Sequence, residues 1–503
     1  MAITNGPNLN SVPSAGQQTL STNYLDLNGS GGWAQQYLPD LMEKEAEVFG
    51  PRTISGFLAQ VGAEEAMTAD QVIWSEQGRL HLSYKANIDT DNVITIQCDI
   101  DENGFASSGI TQKHGIRKND TIIVSNSTGV YKCIVVSLAD GGGVAGNQAD
   151  ITVACYDNAT VPTAGATADK GTTVLVYGSE YAKGDNYDGA ESRGANEPNF
   201  KTFSNKPIIL KDYYEVSGSD ASRIGWVEIA SEAGQSGYLW YLKAESDTRA
   251  RFNDYLEMSM LEGIIGSDNA HTLGAGGSGA AQSVDAHLNY TTGSNVGTEG
   301  LFAAIEDRGN VTSGVTGVNA ATDLAEFDAI LAEFDKQGAI EENMMFVNRA
   351  TSLAMDDMLA SMNSYGAGGT SYGVFDNEEE MALNLGFSGF RRGSYDFYKS
   401  DFRYLNDLAT RGGVNAAAGS NAIRGVFIPA GTSTVYDQQL GKNLKRPFLH
   451  VRYRASQTDD RKMKSWVTGS VGAATSALDA MQIHMLSERC LVTQGANNFM
   501  LMK

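Results

Sequence analysis

Cysteine is scarce in this 503-residue chain. Its four cysteines, Cys98, Cys133, Cys155 and Cys490, form no CxxC pair. The first three lie in apolar, strand-like runs (VITIQC, VYKCIVV, ITVAC), a setting that predicts buried free thiols kept by a reducing compartment. The six histidines are scattered without ligand spacing, so zinc is not expected. Proline is rare, at nine residues. No run of eighteen apolar residues occurs, which excludes a spanning helix and predicts no membrane partner. The start, MAITNGPNLNSVPSAGQQ, has neither a basic nor an apolar signal segment. Charge is sparse too, at 19%, and strongly one-sided, with a net charge of −23. Phosphate backbones would repel such a surface, which excludes a sequence-reading nucleic-acid binder. A solvated acidic surface remains, or a wall along which DNA slides without sticking.

Glycine, by contrast, is abundant at 56 residues. With Asn, Ser and Thr it suits a loop-rich chain containing much β-structure. Residues 1 to about 35 read as an extended polar arm. A short helix is predicted in LPDLMEKEAEVFG, stopped by Gly50 and Pro51. DQVIWSEQGRLHLSY alternates like a strand pair around Gly78. From about 90 to 178, short β-branched runs separated by polar turns predict a small antiparallel barrel or sandwich. Residues 179–200 read as a polar loop.

YLWYLKAESDTRARFNDYLEMSMLEG, 238 to 263, predicts a long helix. Glu245 precedes Arg249, and Asp247 precedes Arg251, at the supportive spacing of four. Phe252, Leu256 and Met260 share the other face. At 1.5 Å per residue the helix would be roughly 39 Å long, a strut. Residues 264–300 read as a mobile Gly-rich stretch. TDLAEFDAILAEFDKQG predicts a helix with Asp323 and Glu326 as a capping box, Leu324, Phe327, Leu331 and Phe334 as its stripe, and Gly338 as its stop. ENMMFVN predicts a buried strand and TSLAMDDMLASM a helix, which together suggest an α/β domain. From about 423 the chain is strand-rich again, and it ends on the apolar run Phe499–Met502.

Sites of chemistry are few. GAGGSG at 274–279 matches a dinucleotide pattern but lacks the preceding strand, and reads as a loop. DIDENG offers Asp99, Asp101 and Asn103 at calcium-loop positions 1, 3 and 5. Position 12 is Ile110 instead of a bidentate Glu, so an acidic turn competes with a weak structural cation site. The 431–442 segment has the wrong glycine spacing for a phosphate loop. No HExxH occurs, carboxylate pairs such as Asp356–Asp357 read as solvated helix faces, and no nucleophile, base and orienter converge. No catalytic residue and no cofactor are predicted. One charge reversal remains. Lys442, Lys445, Arg446, Arg452, Arg454, Arg461, Lys462 and Lys464 face only Asp459 and Asp460, a local charge of +6. That run is either solvated surface or a patch for the acidic face of another copy.

Six segments, in order, resemble the major capsid proteins of tailed bacteriophages with the Hong Kong 97-type capsid fold. WSEQGRL (Trp74–Leu80) is similar to the segment before the extended hairpin, or E-loop, of those proteins. NFKTFSNKPIILKDYYEVSG resembles its returning arm, and ESDTRARFNDYLEMSMLEGII the spine helix. DLAEFDAILAEFDKQGAIEENMMFVN resembles the helix and strand of the A domain. SYDFYKSDFRYLND and SERCLVTQGANNFMLMK are similar to later A- and P-domain segments. The resemblance spans about 70 to 503, ERCLVTQGANNF is its most specific piece, and its flavour is closest to crAss-like phages of gut bacteria.

It implies an α+β fold. An N-terminal arm would cover 1–70, and an E-loop region 71–225 would carry an inserted β domain at about 90–178. The spine helix with part of the P domain would cover 226–305, the A domain 306–425, and a strand-rich return to the P domain 426–503. It implies no enzyme activity and a structural shell protein, assembling as hexamers and pentamers around a double-stranded DNA genome. The implied location is the virion, after assembly in the bacterial host cytoplasm. The implied partners are other copies of the chain and portal, scaffolding and decoration proteins, with any scaffold a separate protein. Trp74, Glu76, Arg79, Lys445, Arg446, Arg452 and Arg454 are the candidate inter-subunit contacts. Phe499–Met502 would be buried in the P domain or against a neighbour. The alternatives are an adhesin-type virion protein using its β domain and an enzyme with a diffuse hydrolase site.

Overall fold

The structure, a computed structural model, describes residues 57–58, 63–77, 82–99, 115–140, 149–157, 159–162, 172–184, 200–219, 228–230, 236–266, 284–288, 290, 294–337, 340–362, 389–430, 432–437, 442–470 and 476–503. The predicted arm and its short helix, most of the 179–200 loop and the GAGGSG motif lie outside these residues. The chain forms two compact units, Trp74–Phe203 and the remainder.

Strand β1 (Ala63–Met67) belongs to the larger unit, and β2 (Val72–Gln77) leads into the smaller one. There β3 (Ser83–Thr90), β4 (Val93–Asp99), β5 (Asp120–Asn126), β6 (Gly129–Asp140), β7 (Ala149–Cys155) and β8 (Thr172–Ser179) close a barrel in the order β3-β4-β7-β6-β5-β8. Every pairing in it is antiparallel. Alternation along each strand sends Ile88, Ile94, Ile96, Ile122, Val135 and Ile151 inward, all fully buried. Six strands enclose too narrow a space for a ligand, and side chains fill it. The barrel expectation therefore holds.

The expected strand pair around Gly78 does not form. Both strands exist, but β2 pairs with β9 (Phe200–Asn205), while β3 pairs with β4 and β8. Period-two alternation reports a strand and its buried face, not its partner. Trp74 packs 6.2 Å from the ring of Phe203, which holds β2 against β9.

Among the described residues the larger unit has one five-stranded and one six-stranded sheet, besides two two-stranded pairings. Strand β10 (Ile208–Ser217) is followed by the long helix α1 (Leu239–Glu262), 24 residues or about 36 Å. Phe252, Leu256 and Met260 are buried on one face, as the periodicity predicts. On the other, Arg249 meets Glu245 at 3.4 Å, and Arg251 reaches Asp212 on β10 at 3.1 Å. After α1 the supposedly mobile stretch is pinned where it is described. Gly300 N–H donates to Gly263 O at 2.8 Å and Gly266 N–H to Val296 O at 2.7 Å. A Cβ on Gly300 would stand 2.6 Å from Gly263 N, so only glycine permits this approach.

Then come α2 (Leu301–Arg308), β11 (Asn310–Thr312), α3 (Ala320–Gln337), β12 (Glu342–Val347) and α4 (Arg349–Met362). The capping box on α3 is displaced. Asn319 caps the helix through its Oδ1, which accepts Thr322 N–H at 3.0 Å. Asp323 lies inside the helix and accepts Gly317 N–H, while Glu326 accepts Thr316 N–H. The helix starts a turn earlier than the capping pattern suggests because Ala320 and Ala321 extend it. The Phe327 and Phe334 stripe is buried as expected.

Strands β13 (Gly389–Arg392), β14 (Tyr395–Asp401), β15 (Gly425–Pro429), β16 (Thr432–Asp437), β17 (Lys442–Pro447), β18 (Leu449–Arg454), β19 (Lys464–Gly469), β20 (Ala480–Thr493) and β21 (Met500–Met502) complete the unit. One sheet runs β1-β18-β20-β10, with β19 also paired to β20; the other runs β11-β21-β15-β12-β14-β13. Strands β16 and β17 pair as a hairpin, which confirms that the 431–442 segment is no phosphate loop. Strand β20 packs against the long helix. Strand β21 sits inside the six-stranded sheet between β11 and β15. Its alternation serves two cores: Phe499 and Leu501 pack with Met260, Leu301 and Phe346, and Met500 and Met502 with Phe327, Phe334 and Met355. That double burial explains an apolar run with no polar phase.

Candidate interaction surface

The basic run falls on β17, β18 and the connection to β19. On β18 its charges turn toward acids of the same chain. Strand β1 lies parallel to β18, placing Glu65 opposite Arg452. Arg452 meets Glu65 at 2.8 Å. Glu488 on β20 is buried and bridges Arg454 Nε and Arg461 Nε, each at 2.8 Å. Arg454 also pairs with Asp70, Lys462 with Glu64, and Lys464 with Asp459. Arg489 is buried among them; its guanidinium donates to Ser487 Oγ and Lys462 O, and desolvation pulls its pKa down. Five of the eight basic residues therefore have acidic partners within the chain: Glu64 and Glu65 of β1, Asp70 just after it, Asp459, and Glu488 of β20. The sequence reading missed this because β1 and β18 are separated by almost the whole chain. Lys445 and Arg446 lie on β17, their side chains outside the described residues.

Beside this network a depression of about 200 Å³ is lined by Glu64, Asn253, Glu257, Lys462 and Arg489. It is smaller than the roughly 300–1,000 Å³ of a small-molecule site.

The same sheet shows solvent a different face. Helix α1 covers one side, with Phe252 and Leu256 against Ile483, Met485, Leu210 and Tyr214. On the other side Tyr213, His484 and Trp466 stand at directly opposed register positions on β10, β20 and β19. His484 stacks between the two rings, 6.0 Å from Tyr213 and 5.2 Å from Trp466. Thr468 Oγ1 and His484 Nε2 lie 2.8 Å apart, which fixes the imidazole edge. Tyr213 is 55% exposed and Trp466 37%, with Ile209 exposed on the same phase of β10. In KDYYEV and MQIHML the alternation puts Tyr213 and His484 on the outward phase and Tyr214 and Ile483 on the inward one.

The remaining candidates are distributed as follows. Trp74 is buried and its Nε1–H donates to Glu76 at 2.9 Å, so both serve the β2–β9 ribbon. Arg79, Asp101 and Asn103 lie outside the described residues, as does the side chain of Asp99. Among the described residues no cluster of His, Cys, Asp or Glu is placed to hold a metal. The sequence does hold one GxSxG match, Gly369–Gly373, contrary to the expectation that none occurs, and it lies outside the described residues. No helix among the described residues is long and apolar enough to cross a membrane.

No protein-family model matches the sequence, and no curated protein matches it. The chain is similar to a solved structure from Microbacterium phage Oxtober96, at 8% identity over 94% of this chain and 97% of that one, with a TM-score of 0.38. It is also similar to one from Mycobacterium phage Cain, at 8% identity over 92% and 93%, with a TM-score of 0.33. A third is the capsid of an empty GTA particle, at 10% identity over 95% and 98%, with a TM-score of 0.32. The likeness is to phage structures and to a capsid.

Proposed function

We propose that this chain is a structural phage major capsid protein of the Hong Kong 97 type, which assembles with copies of itself into an icosahedral shell around double-stranded DNA. One observation carries the reading. The two segments that resemble the outgoing and returning arms of the extended hairpin, Trp74–Leu80 and Phe200 onward, supply strands β2 and β9, which pair with each other. The six strands described between them close a barrel of their own, as an insertion in that hairpin requires. The long α1 against long strands, followed by a mixed helix and sheet layer, agrees with the order of spine and A-domain segments.

In this reading 1–70 is the arm, 71–225 the hairpin region, 226–305 spine and P domain, 306–425 the A domain and 426–503 the return. Hexamers and pentamers form by repetition of one set of contacts. The Tyr213–His484–Trp466 row, the β2–β9 ribbon with Arg79 and the β16–β17 hairpin with Lys445 and Arg446 meet neighbouring copies, while Arg452 and Arg454 act within the chain by holding β1. Exposed aromatics grouped on one sheet face suit a surface that another chain covers. Portal, scaffolding and decoration proteins are the further partners, the bacterial cytoplasm the place of assembly, the virion the destination, and a relation to crAss-like phages part of the same proposal. No catalysis is assigned.

Sedimentation velocity with negative-stain microscopy of the purified protein tests it. Rings, tubes or closed shells are expected. A monomer at high concentration, unchanged by a lysate of phage-infected cells, would overturn it.

A further inference from the structure

Cys133 and Cys155 face each other on two neighbouring strands of the barrel. They are register partners on the antiparallel pair β6–β7. Tyr156 N–H donates to Lys132 O at 3.1 Å, which places Lys132 and Tyr156 at a hydrogen-bonding position of the ladder. Because hydrogen-bonded and non-hydrogen-bonded pairs alternate, Cys133 and Cys155 form a non-hydrogen-bonded pair. Opposed Cα atoms at such a position stand about 4.5 Å apart, with side chains close together. That separation falls within the roughly 4.4–6.8 Å that a disulfide spans. The two Sγ atoms are 2.8 Å apart, and neither cysteine is in a disulfide here. We propose that this pair is a modification site: a low-molecular-weight disulfide, such as oxidised glutathione, converts it to a cross-strand disulfide once the protein leaves a reducing compartment.

The chemistry balances by thiol–disulfide exchange. Cys155 is half-buried and Cys133 fully buried, so the incoming disulfide meets Cys155 first. Its sulfur attacks one sulfur of the reagent, forms a mixed disulfide and expels a thiolate, which takes up the Cys155 proton. Cys133 Sγ, already in contact, then attacks Cys155 Sγ and breaks the mixed disulfide. The second thiol leaves with the Cys133 proton. Two electrons pass from the protein thiols to the reagent, and one disulfide becomes two thiols. Burial, reinforced by the hydrogen bond with Cys155, pushes the Cys133 thiol well above its ordinary range. Little Cys133 is thiolate, so where thiols are in excess they reverse the Cys155 mixed disulfide before Cys133 resolves it, and the pair stays reduced. Cys490 is also buried, and burial pushes it up to about 12, but it lies in the other unit and is an internal control.

The test uses the full chain. Reduced protein is exposed to oxidised glutathione, quenched in acid, alkylated with N-ethylmaleimide in denaturant and digested without reduction. No Lys or Arg stands between Lys132 and Lys170, so trypsin releases both cysteines on one peptide. The expected product is that peptide two hydrogens lighter, without maleimide, while the Cys490 peptide is fully alkylated. Cys155→Ser must abolish the loss of two hydrogens. A peptide carrying two maleimides, a persistent glutathione adduct or a disulfide-linked dimer of the peptide would each overturn the proposal.

Discussion

The side chain of Asn205 donates a hydrogen bond to the backbone carbonyl of Leu491 at 2.6 Å, joining residues 286 positions apart. The same amide nitrogen donates to Glu299 O at 2.9 Å. Its Oδ1 accepts from Glu299 N–H, Lys206 N–H and Thr298 Oγ1. One buried carboxamide thus ties the end of β9, the end of β20 and the turn before α2. Asn205→Ala leaves those groups without their partner and is expected to cost about 3 kcal/mol. Asn205→Asp, which turns an acceptor toward the Leu491 carbonyl, is expected to cost at least as much. Denaturant unfolding measures both, and a loss below about 1 kcal/mol for either would show that water replaces the side chain.

Lys399 and Asp356 form a buried ion pair between β14 and α4, and Lys399 Nζ also donates to Ser352 O at 3.1 Å. Removing one member strands the other in a poorly solvated place. Lys399→Met should destabilise by about 3 kcal/mol, and the double variant Lys399→Met/Asp356→Leu should regain most of that loss. A double-mutant cycle with no coupling would refute the clamp.

Glu488 joins two arginines that would otherwise repel. Glu488→Gln keeps the shape and removes the charge, and the arginines are partly exposed, so a loss of about 2 kcal/mol is expected. Loosening should concentrate where Arg454 belongs, on β18 and its neighbour β1. Hydrogen exchange checks this: amides of Glu64–Met67 should exchange faster than in the parent, and those of β12 should not.

Tyr395 is buried, and burial together with the hydrogen bond it donates to Asp335 at 2.6 Å raises its pKa to about 12 from the ordinary 10.0. The folded state favours the neutral phenol. This contribution is complete below about pH 10 and is lost as pH rises from 10 through 12. Tyr395→Phe should flatten the stability profile in that window. Denaturant titrations on either side of pH 10 decide it, and equal slopes for parent and variant would exclude the mechanism.

If the aromatic row is a contact between copies, Trp466→Ala and Tyr213→Ala separate folding from assembly. Both residues are substantially exposed, so each change should move stability by only about 0.5 kcal/mol. Particle formation in sedimentation should fall sharply. Unchanged particles would remove this face from the interface.

Local pattern carried much of this. Runs such as DTIIVS and TTVLVYG announced barrel strands because β-branched side chains alternate around a filled interior. Phe327 and Phe334, seven apart, announced one helix face and both are fully buried. What escaped was pairing over distance. Nothing in WSEQ says that its partner is FKTFSN, and nothing in VRYR says that AEEAM will neutralise it. Asn205 is one polar residue among many until its five partners surround it. The Asp323–Glu326 pattern misled because Asn319, four residues earlier, was an equally good cap.

The order of the sheet beside α1 has a bearing on synthesis. Strands β1 and β10 are translated early, yet β20, the strand that joins β10 to the rest, comes more than 260 residues after β10 ends. During that interval both early strands leave the ribosome with unpaired edges and an apolar face. Such edges invite pairing with other nascent chains, and so long a wait makes folding slow. The barrel has no such dependence, since all six of its strands arrive within one continuous stretch and can close while the rest of the chain is still being made.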